Sequence, residues 1–253
     1  MRVRNEAANA WPPNPIDAPG SSEALWTDWL GSLRAEVLDV TAWTSAVILA
    51  AHPDDEVLGA GGIICLLAAA GARLRLIAVS DGEASHPGCR DVAALARRRA
   101  QERAAALRKL GAADAEVVRL GLPDTGLAAR EDEVASAVGD LTGGFAACLA
   151  PWEGDIHADH EAVGRAARQA GSPSYHYPVW MWHWARPADP RVPWRHAVRV
   201  PFSPAMADRK GMAISCFSSQ LESRPHGAGP VLPAGFVSHF TRDYELLFPV
   251  VRP

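Results

Sequence analysis

The sequence predicts an α/β protein: a Rossmann-like open, mostly parallel sheet with helices on both faces, plus an aromatic-rich C-terminal extension. Two observations predict it. From about residue 45 to residue 171, short β-like runs alternate with helical runs, and strands alternating with helices of this length give a parallel sheet covered on both sides. Each of four apolar runs then ends in a polar loop, as expected where an open sheet offers the carboxyl ends of its strands to a ligand.

Taken in order, residues 1–20 are rich in Pro, Asn and Ala and read as an irregular arm. Residues 21–253 read as one domain, with a core at 45–171 and an extension at 172–253. A short amphipathic helix begins near residue 22. The core strands are "AVILAAH", "RLRLIAVS", "AEVVRLG" and "FAACLAP", and the helices between and after them run from about Asp55 to Ala70, from about Asp91 to Leu110, near 131–142 and near 158–170. Gly59, Gly61 and Gly62 do not form a dinucleotide fingerprint, because position 64 is Ile; they serve close packing of their helix. After residue 171 the alternation stops. Trp180, Trp182 and Trp184 recur with period two, which predicts one face of an extended segment, and Pro178 demotes that segment to a sheet edge. They read as core or lid packing, or as an apolar wall for a ring-shaped ligand. Residues 203–220 read as helical, and the tail from Phe236 to Phe248 as a strand.

With 253 residues, 48% hydrophobic composition and a net charge of −4, the chain can bury a large core and carries too little charge for a nucleic-acid partner. The basic run Arg97, Arg98, Arg99 shares a helical pattern with Glu102 and reads as a solvated face. No apolar run approaches the roughly 20 residues that span a bilayer, and the first 22 residues lack the apolar block of a secretory signal, so a cytoplasmic location without membrane insertion is expected. Cys65, Cys89, Cys148 and Cys216 show no metal or disulfide spacing; they read as reduced thiols, with Cys89 the exposed one.

The chemistry lies in two clusters. His52-Pro53-Asp54-Asp55 follows the first core strand, and His157-Ala158-Asp159-His160 follows the fourth. Carboxylates this close repel one another and resist desolvation, so they are either solvated or gathered around a cation. Histidine nitrogen and carboxylate oxygen both suit zinc, and a catalytic site leaves one position for water. Pro53 starts a turn that can bring His52 and Asp55 to a common point. His157 and His160, three apart at a helix start, share nearly one face, and Asp159 between them must reach sideways to hold an imidazole. The plainer alternative makes Asp54 or Asp55 an ordinary helix cap.

"AHPDDE" after an apolar strand, with "HADH" about a hundred residues later, resembles the PIG-L/LmbE family of zinc-dependent N-deacetylases, in which the second motif is usually H-P-D-H. Here Ala158 replaces that proline. The resemblance spans residues 45 to about 170 and implies that His52, Asp55 and His160 bind the metal and that Asp54 is the general base. It also implies that His157 polarises the scissile carbonyl or donates a proton, with Asp159 behind it. The family's R-x-x-E signature matches Arg99 and Glu102, and its loop aspartate matches Asp124 in "LPDTG"; by similarity, Arg99 and Asp124 hold sugar hydroxyls.

The expected reaction is removal of an acyl group, acetyl foremost, from an N-acylated amino sugar. The metal is Zn2+, with Fe2+ or another divalent ion as alternatives, and either His157 or Asp54 protonates the amine. Competing readings are an amidase of a thiol-sugar conjugate, a catalytically silent sugar-binding module and a non-haem iron oxygenase. The oxygenase triad belongs to double-sheet β barrels rather than to alternating strands and helices.

Overall fold

The computed structural model describes residues 16, 18–224 and 229–251; most of the expected N-terminal arm, residues 1–15 and 17, lies outside them. Helix α1 (Glu23–Leu30) starts at Ser22, whose hydroxyl accepts from the Leu25 N–H. The chain continues through β1 (Glu36–Val37), β2 (Ser45–Ala50), α2 (Asp55–Ala69), β3 (Arg73–Ser80), α3 (Val92–Leu110), β4 (Glu116–Leu122), α4 (Glu131–Leu141), β5 (Ala147–Pro151) and α5 (Ala158–Ala166). The remainder holds β6 (Ser174–Tyr177), α6 (Met181–Trp184), β7 (Val198–Pro201), α7 (Pro204–Ile214), α8 (Ser218–Leu221), α9 (Ala234–Val237) and β8 (Tyr244–Pro249).

These strands form an eight-stranded sheet in the order β1-β7-β8-β6-β5-β2-β3-β4. The run from β6 to β4 is parallel, and β8 enters antiparallel between β6 and β7. Every residue of β2 is buried, because helices cover both faces. Ala46, Ile48 and Ala50 pack into one cluster with α2, the end of α3 and α7, whereas Val47 and Leu49 pack into the other with α4 and α5. The strand order reverses at β2: β3 and β4 extend one way, then β5 returns to pair on the other side. The crevice at the carboxyl ends of β2 and β5 is therefore the topological switch point. Both histidine clusters lie there.

Two of the glycines in α2 act as expected through close packing, since a Cβ on Gly59 would collide with the Tyr177 ring and one on Gly62 with Phe202.

The extension differs from its sequence reading. The segment carrying Trp180, Trp182 and Trp184 is not an extended edge: β6 ends at Tyr177, lies between β5 and β8, and Met181–Trp184 form a helical turn. The cause is Asp155, whose buried carboxylate accepts the N–H groups of Val179, Trp180 and Met181 in succession and curls the chain around itself. The three indoles consequently separate. Trp182 packs edge-on against Trp26, Trp184 stacks on Trp152, and Trp180 faces the crevice. The helix expected over 203–220 breaks into α7 and α8, and the strand expected from Phe236 begins only at Tyr244. Cys216 is partly exposed like Cys89, because it falls in that break. Among the described residues no helix is long and apolar enough to cross a membrane.

Candidate active site

Strand β2 delivers its chain end into a tight turn. Asp54 sits there at φ 131° and ψ −31°, a conformation that costs a non-glycine residue about 1–3 kcal/mol and persists only where the surroundings impose it. Arg99 imposes it. Its Nη2 donates to the Pro53 carbonyl at 2.7 Å and to the Asp54 carboxylate at 3.1 Å, and its Nη1 to the Gly82 carbonyl at 2.7 Å. Neither aspartate caps α2 through its side chain: Asp54 is spent on Arg99, and Asp55 Oδ2 accepts from the His52 N–H at 2.8 Å. The helix-cap alternative is thereby excluded.

Around that turn the site closes from three more strand ends. Asp55 Oδ1 lies 3.2 Å from His160 Nε2, and Asp55 Oδ2 lies 3.5 Å from His52 Nδ1. His160 is fully buried, and its Nδ1 is 2.8 Å from Asp155 Oδ2. With Nδ1 turned to Asp155, Nε2 faces the site beside Asp55, and no hydrogen-bond partner meets it. His52 Nε2 is held on the opposite side by two carboxylates, Asp124 Oδ1 and Asp159 Oδ2, each at 3.1 Å. The His157 ring lies 4.9 Å from that of His52 and 4.6 Å from that of His160, and its buried Nδ1 is likewise unpartnered.

Asp159 was expected behind His157. Instead its Oδ1 accepts from Leu127 N and its Oδ2 from Thr125 N, so that the carboxylate bridges the loop after β4 to His52. Asp124 Oδ2 accepts from Ala84 N at 2.9 Å. Arg99 and Asp124 thus line the crevice while already serving protein partners.

The electrostatics follow from burial among like charges. Burial, with the neighbouring Asp55 and Glu56, pushes the Asp54 carboxyl up to about 7 despite the pull of Arg99. Burial also opposes charge on Asp55, but His160 and His52 outweigh it and hold that carboxyl well below its ordinary range. For His160, burial is overcome by Asp55 and Asp155, which raise it to about 9; His52 is raised too, by Asp124, Asp159 and Asp55. His157 goes the other way, lowered to about 3 by burial and by the charges on His160 and His52.

A divalent cation fits this donor set. Ring nitrogens of His52, His157 and His160 lie within 4.8 Å of one another, as do donor atoms of His52, Asp124 and Asp159. The orphaned Nε2 of His160, beside an acceptor-only carboxylate, is what a cation would satisfy. The crevice is open to solvent and holds about 130 Å³, and Leu58, Ser85, Thr125, Trp180, Gln220 and Leu232 line it as well. Trp180 stacks on Phe236 at 4.6 Å and lies nearly parallel to His157 at 6.5 Å.

Asp155 escaped the sequence reading. Its only signal was a carboxylate two positions before His157, in a loop where acids are common. Glu102, the partner of Arg99 in the R-x-x-E pair, points away from the reacting groups. It accepts from the Ser219 N–H and from the hydroxyls of Ser218 and Ser219, and so anchors α8.

Residues 47–171 match the PIG-L family, described as GlcNAc-PI de-N-acetylase. No curated protein matches the sequence. Among solved structures, the zinc-inhibited form of teicoplanin deacetylase Orf2 is 18% identical, with 83% of this chain and 99% of that chain covered and a TM-score of 0.61. The N,N'-diacetylchitobiose deacetylase from Pyrococcus horikoshii, complexed with its inhibitor, is also 18% identical, with 76% and 75% covered and a TM-score of 0.54. GalB, the 4-carboxy-2-hydroxymuconate hydratase from Pseudomonas putida, is 19% identical, with 83% and 97% covered and a TM-score of 0.53. At these identities the likeness is one of fold, and the fold carries a hydratase as well as deacetylases. The paired motifs at 52–55 and 157–160 meet at the switch point inside the matched segment, and through residues 47–171 the chain matches the PIG-L family.

Proposed function

We propose that the chain is a metal-dependent hydrolase that removes an acyl group, acetyl foremost, from the amide nitrogen of an amino sugar or a sugar-containing small molecule. One observation carries the reading: a buried carboxylate, Asp54, held by Arg99 in a strained turn, adjoins a cluster of imidazole and carboxylate donors that lines an open crevice. The family match and the deacetylases that share the fold support it.

His52, Asp55 and His160 would hold the metal, with zinc, or iron or another divalent ion, as its identity: Asp55 lies 3.2 Å from His160 and 3.5 Å from His52, and His157 offers a nearby nitrogen as well. Such an ion lowers the pKa of water toward about 7 and draws charge from an amide oxygen. Everything else falls to the chain. Asp54, poised near neutral pH, takes the proton from the attacking water, and Arg99 fixes the direction of its carboxylate. His157 is neutral and donates an N–H to the carbonyl oxygen as negative charge develops there. The proton that Asp54 has taken is then available to the leaving amine. Asp159 and Asp155 hold the rings of His52 and His160 from behind. Asp124 reaches sugar hydroxyls only by sharing oxygens it already uses, whereas Arg99 keeps an unpartnered Nε, and Trp180, backed by Phe236, offers an aromatic wall to the sugar ring.

The test is metal analysis of the purified protein together with a screen of N-acetylated amino sugars for released acetate. One equivalent of metal and release from at least one sugar are expected; a metal-free protein that releases acetate equally well would overturn the reading.

A further inference from the structure

We propose that Gln220 is a specificity-determining residue whose Oε1 accepts a hydrogen bond from a neutral hydroxyl or N–H of the bound sugar. This rests on the amino-sugar reading above. Gln220 is fully buried, lines the crevice opened by His52 and Trp180, and its Oε1 is a buried acceptor without a partner. Its backbone is satisfied: its N–H donates to the Phe217 carbonyl, and its carbonyl accepts from Leu232 N.

The orientation of the amide follows from its neighbours. Ser219 Oγ lies 2.6 Å from Glu102 Oε2, and a carboxylate only accepts, so the single hydroxyl proton of Ser219 is committed to Glu102. Ser219 Oγ can then only accept from Gln220, whose Nε2 lies 2.8 Å away. Arg98 and the Ser219 N–H hold Glu102 in turn. The chain from Arg98 through Glu102 and Ser219 therefore fixes the NH2 group and leaves Oε1 on the other side. An amide oxygen cannot pair with a phosphate or carboxylate oxygen, since neither offers a proton. Its partner is a neutral donor, the kind of group a sugar presents along its ring. A buried acceptor left unmet is costly, so a ligand lacking that donor is rejected.

The experiment uses the metal-loaded full chain, as wild type, Gln220→Met and Ser219→Ala. The probes are N-acetylglucosamine and its 3-, 4- and 6-deoxy analogues; acetate release gives KM and kcat, and calorimetry gives Kd. For the parent sugar, Gln220→Met should raise KM and Kd about 10- to 100-fold, with kcat changed much less. Its thermal midpoint should fall by no more than about 3 °C, because the variant removes an acceptor that was already unmet together with the single hydrogen bond from Nε2 to Ser219 Oγ. One deoxy analogue should suffer the same loss in the wild type and no further loss in Gln220→Met, which identifies the hydroxyl. Ser219→Ala, which frees the amide to turn, should raise KM by a smaller factor and supplies the same readout if Gln220→Met fails to fold. The inference is overturned if every deoxy analogue is penalised alike in wild type and variants, or if the variants lose thermal stability while Kd stays normal. Sugars bound by the wild type without acetate release would defeat the deacetylase reading, while the Kd comparison would still decide the role of Gln220. No binding of any of these sugars would remove Gln220's assigned ligand.

Discussion

Helix α2 carries buried charge at two places, its first turn and its midpoint, and the two are built differently. At the midpoint, Ala60 leaves helical geometry, and the freed N–H groups of Gly62 and Ile63 donate to the two oxygens of Glu245. Lys210 Nζ completes that carboxylate at 2.8 Å, and neither Lys210 nor Glu245 keeps a buried polar atom without a partner. At the first turn, Asp54, Asp55 and Glu56 are equally buried, yet Glu56 Oε1, Arg99 Nε, His157 Nδ1 and His160 Nε2 all lack partners. The midpoint closes on itself and holds the helix in place. The first turn holds its groups in a strained backbone and leaves them short of partners, as groups kept for a ligand would be and a structural ion pair is not.

The largest effect expected in this comparison comes from Asp54→Asn. The amide keeps the shape and leaves His52, Asp55 and His160 untouched, so metal should remain while activity falls by roughly 10² to 10⁴. Asp55→Asn should lose metal first, with partial rescue by excess metal. Metal content and kcat/KM of the pair measure this, and a metal-free Asp54→Asn beside a metal-loaded, inactive Asp55→Asn would reverse the two roles.

At the midpoint the signature inverts. Lys210→Met should cost about 3–5 kcal/mol of stability by stranding Glu245, with normal kcat/KM in the folded fraction. Replacing both partners with apolar residues should recover part of that loss. Denaturant unfolding of the single and double variants checks it.

Asp155→Asn should act next, weakening metal affinity about 10- to 100-fold through the orientation of His160. Because the same carboxylate curls the Trp180 turn, KM should rise in this variant, whereas Asp159→Asn should weaken metal without disturbing that wall. Competition with a chelator, read beside KM, separates the two.

The smallest effect is on pH and stability. In metal-free protein His160 is raised from 6.5 to about 9, so the stability its proton contributes is full below pH 6.5 and is lost as pH rises through about 9. The melting temperature of stripped protein should fall over that window. Zinc should remove the fall, because the ion replaces the proton.

Much of this was legible from the sequence, for physical reasons that differ by region. The four core strands and their helices announce themselves because a parallel sheet buried on both faces leaves unbroken apolar runs such as "SAVILA". The clusters at 52–55 and 157–160 stand out because nothing structural gains from so many acids and imidazoles at two strand ends. The extension was not legible. Its Trp spacing mimics a strand, and only the distant Asp155 carboxylate turns it into a helix; β6 and β7 are too short for their periodicity to show. Partner choice was hidden as well, since Asp159 can reach either His52 or His157 from its position and the loop after β4 decides between them.

The central claim is that the unclosed cluster at the first turn of α2 works through a bound divalent ion on an N-acylated amino sugar. Acetate release from the sugar that responds in the screen, measured on protein stripped by a chelator and then titrated with zinc, tests it most directly. Activity should vanish on stripping and return in full at one equivalent. Undiminished release by stripped protein, or a return of activity with zinc in a His160→Ala variant as readily as in the wild type, would contradict it.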